Sequence, residues 1–184
     1  MKVREVLNGR MHRRDIQMLC GLTSGMTNNH LKDILYSAIT DKDDRVSYNA
    51  LWVFTHFSKE DREWLYDKRN ELIDILLRTN HIGKKRLILT ILEHQPVTPD
   101  DIRTDYLDYC LSKINSTEPY AIRAFCLKQA FAQCCFYPEL MNELKAEMEI
   151  MEYNNPSPGL RSAKRIIQKK IIRLHKGHET KDYQ

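Results

Sequence analysis

Residues 43–57 read DDRVSYNALWVFTHF, and the spacing of the apolar side chains in this stretch decides the fold. Val46, Ala50, Val53, Phe54 and Phe57 recur at i, i+4, i+7, i+8 and i+11, which lays them along one stripe of an α-helix. The stretch is also a repeat unit. Steps of 38 residues from Ser47 reach Lys85, Arg123 and Arg161, each near the start of another helical pattern. The helices preceding these keep the same interval: Ile34, Leu72 and Cys110 are 38 apart, as are Leu35, Ile73 and Leu111, and Ala38, Leu76 and Ile114. From Leu107 to Leu144, Leu111 to Met148 and Ile114 to Met151 the interval is 37. Both helices of a pair therefore repeat together. A pair that cannot bury its own apolar face must stack on its neighbours, and stacking makes a curved superhelix.

Local signals punctuate the pairs. Thr27 is placed to cap a helix carrying Leu31, Ile34, Leu35, Ala38 and Ile39, because its hydroxyl can accept from a first-turn amide. The loop DKDD closes that helix, and the helix over 44–57 follows. Ser58, with Asp61 three residues on, has capping geometry; it opens a helix with Trp64, Leu65, Leu72, Ile73, Leu76 and Leu77, which His81-Ile82-Gly83 turns into a helix over 84–95. Thr98 as N-cap, Pro99 at the first helical position, and Asp100 and Asp101 beside the positive helix end mark the next start. The segment 115–119 then opens a helix over 120–136, Tyr137-Pro138-Glu139 starts another with Leu140, Leu144, Met148 and Met151, and NNPSP leads into the last, over 159–176. The expected organisation is all-α: one solenoid domain over 1–176, with two short helices in 1–26, helix pairs over 27–57, 58–95, 98–136 and 137–176, and a frayed tail over 177–184.

Composition agrees with long helices. Of 184 residues, 42% are apolar and only six are Gly and six Pro, which excludes disordered and collagen-like classes. The net charge of +4 is too small by itself to demand a polyanionic partner. Five cysteines, Cys20, Cys110, Cys126, Cys134 and Cys135, form an odd set with no CxxC pair, so a disulfide framework is not expected, and reduced thiols in the cytoplasm are. The N-terminal residues lack the continuous apolar core of a signal peptide, and no apolar run approaches the roughly 18 residues of a membrane span.

Helix pairs at this period, with an apolar residue and then a basic one opening the second helix (Ile122-Arg123, Leu160-Arg161), resemble HEAT and armadillo-type repeats over residues 28–176. Ser47 and Lys84 depart from that pattern. The period exceeds 34 and no W-x2-L-G-x2-Y signature is present, which sets tetratricopeptide repeats aside. The resemblance implies a binding surface for proteins or nucleic acid, with the second helices of the pairs lining a concave face; no cofactor is expected.

On that face the repeat aligns Tyr48 with Arg86, Ala124 and Ser162, and Trp52 with Thr90, Lys128 and Ile166. Beside them runs the basic row Lys85, Arg123 and Arg161. Aromatic platforms next to cations suit a nucleic-acid surface, yet in stacked repeats such cations commonly pair with a neighbour's carboxylate and such rings fill gaps between pairs. The last helix is the sharpest charge feature: Arg161, Lys164, Arg165, Lys169, Lys170, Arg173 and Lys176 occur with no Asp or Glu from 161 through 176. A basic amphipathic helix docks on an acidic protein or a phosphate backbone; alternatively it caps the stack, or neutralises the acidic helix before it, which carries Glu139, Glu143, Glu147, Glu149 and Glu152.

The sequence offers little for catalysis. It has no glycine-rich phosphate loop, no GxSxG and no HExxH. His56 and His94 occupy equal places in successive pairs, but two histidines do not fill a tetrahedral site and no third ligand has metal-like spacing. Cys134 and Cys135 sit where nothing supplies the positive setting that makes a thiolate. Alkylated-base DNA glycosylases are built from HEAT-like repeats, and this chain is similar in architecture and in Tyr48 and Trp52, but its second helices lack the internal aspartate. The expected function is a non-catalytic binding module for a protein partner, with nucleic acid as the second candidate.

Overall fold

The computed structural model describes residues 3–154 and 156–179. They form helices joined by short turns, with no strand among the described residues, so the fold is all-α as the apolar spacing requires. The contacts gather these helices into two compact units, Met1–Gln95 and Pro96–Gln184.

The first unit holds α1 (Val3–Asn8), α2 (Arg13–Thr23), α3 (Asn29–Ser37), α4 (Asp44–Phe54), α5 (Lys59–Glu63), α6 (Arg69–Arg78) and α7 (Ile82–Glu93). At its centre, α4 starts where the Asp43 carboxylate accepts from the Arg45 amide at 2.9 Å, which satisfies one of the donors every helix start leaves open. Its stripe, Val46, Ala50, Val53 and Phe54, is almost wholly buried, and Phe57 beyond the helix end is buried with it. Phe54 packs edge-on to Tyr36 and Phe57 and stacks on Trp64 with ring centroids 6.3 Å apart. The Asn49 amide donates to the carbonyls of Leu7 at 2.7 Å and Gly9 at 3.3 Å, so one side chain of α4 completes the C-terminal end of α1.

Three local expectations change here. Thr27 lies inside a 3-10 turn, Met26–Asn28, and α3 begins after it at Asn29. The buried face of α3 and the turn after it is Lys32, Leu35, Tyr36 and Ile39, while Ile34 is 38% exposed. Hydropathy mis-orients this helix because the Lys32 ammonium finds a buried partner, Asp61, at 2.9 Å. The helix expected from Ser58 onward is broken into α5, a 3-10 turn at Tyr66–Lys68, and α6. Residues 59–78 contain neither Gly nor Pro to announce the break. At the break the Leu65 carbonyl accepts from the Lys68 amide at 3.1 Å and from the Gln95 side-chain amide at 2.9 Å, the second bond made by a residue beyond the end of α7.

The second unit holds α8 (Thr104–Ile114), α9 (Tyr120–Cys134), α10 (Pro138–Tyr153) and α11 (Pro158–Glu179). Thr98 and Asp101 do form a capping box around Pro99, but the turn they start is 3-10, Pro99–Asp101, and α8 begins only at Thr104 after an extended Arg103. Helices α8 and α9 form an antiparallel hairpin, and α9 packs in turn against α10 and α11. The Asn115 amide donates to the Glu147 carbonyl and carboxylate at 2.9 and 2.7 Å, tying the end of α8 to α10. Tyr106, Cys110, Ile114, Cys126, Leu127, Leu144, Met151 and Ile167 make the core. Helix α11 continues through Glu179, three residues past the expected end; the rest of the tail, 180–184, lies outside the described residues.

Candidate binding surface

In the first unit, α4 and α7 lie with their first turns together. Lys84 Nζ reaches Asp44 at 2.6 Å, and its hydrogen bond and charge hold the Asp44 carboxyl below its ordinary range. The Tyr48 ring lies 5.9 Å from the His81 ring and passes over Gly83, where an added Cβ would come within 2.7 Å of it. Glycine is required there by that close approach, not by backbone conformation. His81 is the N-cap of α7, its Nδ1 accepting from the Lys84 amide at 3.2 Å, so Ile82 and Gly83 belong to the helix and not to a turn. Trp52 is half-buried and edge-on to His56. Lys85 is turned inward, 9% exposed, and Arg86 alone of the cations named for this unit stands in solvent.

In the second unit, Arg123 is buried to 9% exposure; its Nε donates to the Ile114 carbonyl at 2.8 Å and its guanidinium lies over the Tyr120 ring at 5.6 Å. It closes the C-terminal end of α8. Lys128 is half-buried over the Phe125 ring at 5.3 Å, and Lys170 of α11 lies over Phe131 of α9 at 5.6 Å. Lys164 is buried against Glu152 of α10, whose carboxyl is held low by that hydrogen bond and charge, with Arg161 adding to the effect. Arg161, Arg165, Lys169, Lys170 and Arg173 are exposed. Among the described residues no carboxylate lies within ion-pair distance of Arg165, Lys169 or Arg173.

The basic row therefore divides. Lys85 and Arg123 point into the protein and Arg161 does not. Tyr48 is packed against His81 and Gly83 at the start of α7 and Trp52 against His56, whereas α11 presents five cations outward, Arg161, Arg165, Lys169, Lys170 and Arg173. Helix α9 contains no acid, and α11 contains none before its last residue, Glu179: no Asp or Glu occurs from 119 through 138 or from 153 through 178. Phe136 and Tyr137 are 37% and 43% exposed at the turn after α9; no local sequence pattern marks them, since they look like ordinary turn residues.

Chemically reactive groups are muted. Burial, then the nearby Glu143 and Cys135, push the Cys134 thiol up to about 12, and burial raises Cys135 as well. No disulfide joins the cysteines. His56 Nδ1 is 3.0 Å from the Trp52 carbonyl, within its own helix turn, and among the described residues no group of three His, Cys, Asp or Glu side chains converges as metal ligands would. No helix among them is long and apolar enough to cross a membrane.

Helix pairs recurring at 38 residues and packing equivalent helix on equivalent helix define a helical-repeat protein. The chain belongs to the HEAT repeat domain family, whose family model matches residues 3–171. Neither a curated protein nor a solved structure matches the chain. HEAT repeats form helical scaffolds and protein-interaction modules, and this is the class to which the chain belongs.

Proposed function

We propose that this chain is a non-catalytic HEAT-repeat binding module and that the face formed by α9 and α11 holds an acidic segment of a protein partner. The observation that carries this reading is the absence of Asp and Glu from α9 and from residues 158–178 of α11 while Arg165, Lys169 and Arg173 stand exposed on α11. Opposite charge across such a face steers encounter and suppresses wrong partners more than it adds raw affinity. Of the residues named from sequence, Arg165 and Lys169 act directly in this reading, with Arg161 at the edge. Arg123, Lys128 and Lys164 support the face from within, and Tyr48, Trp52, Lys85 and Arg86 belong to the other unit, where Arg86 is the exposed cation. The five cysteines fit the reducing cytoplasm, and the reading needs no cofactor.

Nucleic acid is the second reading, favoured by the cations set over Phe125 and Phe131. Those rings are half-buried and each already faces an ammonium group, which leaves less of them for a base to stack on. Base excision in the manner of the alkylated-base glycosylases would need an acid that this face lacks.

The test is a titration of the full chain with a glutamate-rich 20-residue peptide and, separately, with single-stranded and duplex DNA. The protein reading expects saturable peptide binding that Lys169→Glu together with Arg165→Glu abolishes. Tighter binding of DNA than of peptide, with affinity falling steeply as salt rises, would replace it with the nucleic-acid reading.

A further inference from the structure

Helix α11 outruns the helix it lies against. Cys134, the last residue of α9, is 38 residues before Ile172, and α11 continues to Glu179, seven residues and about 10 Å further. The underside of α11 near this point, Ile171 and Leu174, therefore looks past the end of α9 onto the turn that leads into α10. The result is a cavity of about 600 Å³ lined by Cys134, Phe136, Tyr137, Met141, Ile171 and Leu174, without a charged side chain in its wall. This volume falls in the range of about 300–1,000 Å³ typical of ligand sites. Its mouth is held open by apolar groups: Phe136 and Leu174 are each 37% exposed and Tyr137 43%.

The two sides of the mouth differ in charge. On the α11 side, Lys170 and Arg173 flank Ile171 and Leu174 in sequence, and both are exposed. On the α10 side, Glu139 and Glu143 are exposed in the first two turns, and Glu143 is near enough to Cys134 to raise its thiol further. An apolar floor between a cationic and an anionic wall is the shape that receives an amphipathic helix by its apolar stripe. We propose that this cavity takes two apolar side chains of an acidic amphipathic helix from a protein partner, seated so that its carboxylates face Lys170 and Arg173 and its other flank, turned to Glu139 and Glu143, carries none. The inference rests on the acidic-partner reading and adds to it an apolar anchor and a polarity.

Three labelled helical peptides test it against the full chain by fluorescence anisotropy. One has leucines at i, i+3 and i+7 with glutamates on one flank only; the second replaces those leucines with alanine; the third has glutamates on both flanks. The one-sided leucine peptide should bind at least about tenfold more tightly than the alanine peptide, the value expected for burying one or two leucines, and more tightly than the peptide with glutamates on both flanks. Leu174→Glu, at a partly exposed position that tolerates charge, should lower its affinity by a similar factor and leave the alanine peptide unchanged; Tyr137→Ala is the second variant should Leu174→Glu lose helicity by circular dichroism. Equal binding of leucine and alanine peptides, insensitive to both variants, overturns the cavity while leaving the acidic-partner reading in place. If no peptide binds, or if Arg165→Glu with Lys169→Glu has no effect on any of them, that reading falls together with the cavity. Displacement of the leucine peptide by single-stranded DNA, with Leu174→Glu inert, overturns the cavity in favour of a phosphate surface.

Discussion

Asp61→Asn should destabilise the unit Met1–Gln95 by about 3–5 kcal/mol, the cost of leaving a buried charge without its partner. Asp61 Oδ1 accepts from Lys32 Nζ and from the Gly25 amide, each at 2.9 Å, and Oδ2 accepts from the Ser58 hydroxyl at 2.9 Å. The side chains of Lys32 and Asp61 are only 3% and 8% exposed. Asparagine keeps the shape and part of the hydrogen bonding but removes the charge, and the ammonium is left facing the Phe57 ring at 6.0 Å. Lys32→Met should cost less, since Asp61 keeps two other donors. The double variant should be less destabilised than the two singles added together, by about 1–3 kcal/mol, because it buries no orphan charge. Burial raises the Asp61 carboxyl, but Lys32, the Gly25 amide and Ser58 outweigh it and hold the group below its ordinary range. With a folded value lower than the unfolded one, the contribution is complete above the usual aspartate value of about 3.9 and is lost as pH falls through the folded value. The two tryptophans, Trp52 and Trp64, both belong to this unit, so urea unfolding followed by their fluorescence reads it directly. In a domain of this size, thermal unfolding should shift by more than about 10 °C. An Asp61→Asn protein within 1 kcal/mol of wild type, or strict additivity in the double variant, would refute the argument.

The remaining predictions concern single contacts. Gly83→Ala should destabilise the wild-type chain by about 1 kcal/mol, since the new Cβ meets the Tyr48 ring and comes within 3.0 Å of His81, and should cost less in a Tyr48→Ala background, where the closer contact is gone and the gain in helix propensity offsets the other; urea midpoints of the four proteins check the difference. Arg123→Met should cost about 1.5–3 kcal/mol by leaving the Ile114 carbonyl without its charged donor, read by circular-dichroism melting and by faster amide exchange at the end of α8. Asn49→Ala should raise amide exchange throughout α1, whose terminal carbonyls it holds, while the core helices exchange as before. Maleimide at pH 7 should label Cys134 only on unfolding, because the thiol is buried and stays protonated in the folded chain; rapid native labelling at that residue would contradict its placement.

The helical class and the 38-residue interval were legible in the sequence, because an apolar stripe is a local pattern: the side chains that make it lie three or four residues apart on one helix. The stripe Val46, Ala50, Val53 and Phe54 shows this, being buried as its spacing requires. So were the caps at Ser58 and at Thr98, where donor and acceptor are three residues apart. Two of the failures depended on a partner far along the chain. Lys32 reads as a surface residue until Asp61, 29 residues away, comes to meet it, and the carbonyl of Leu65 at the break after α5 takes a second donor from Gln95, far along the chain. The candidate site was legible only as a run of cations on one helix. Whether each pointed outward, as Lys169 does, or inward, as Arg123 and Lys164 do, was set by where the neighbouring helices left an acceptor. The apolar cavity beside them comes from a difference in length between α11 and α9. Sequence carries the free energy of placing each side chain on its own helix, while only packing decides what that side chain then faces.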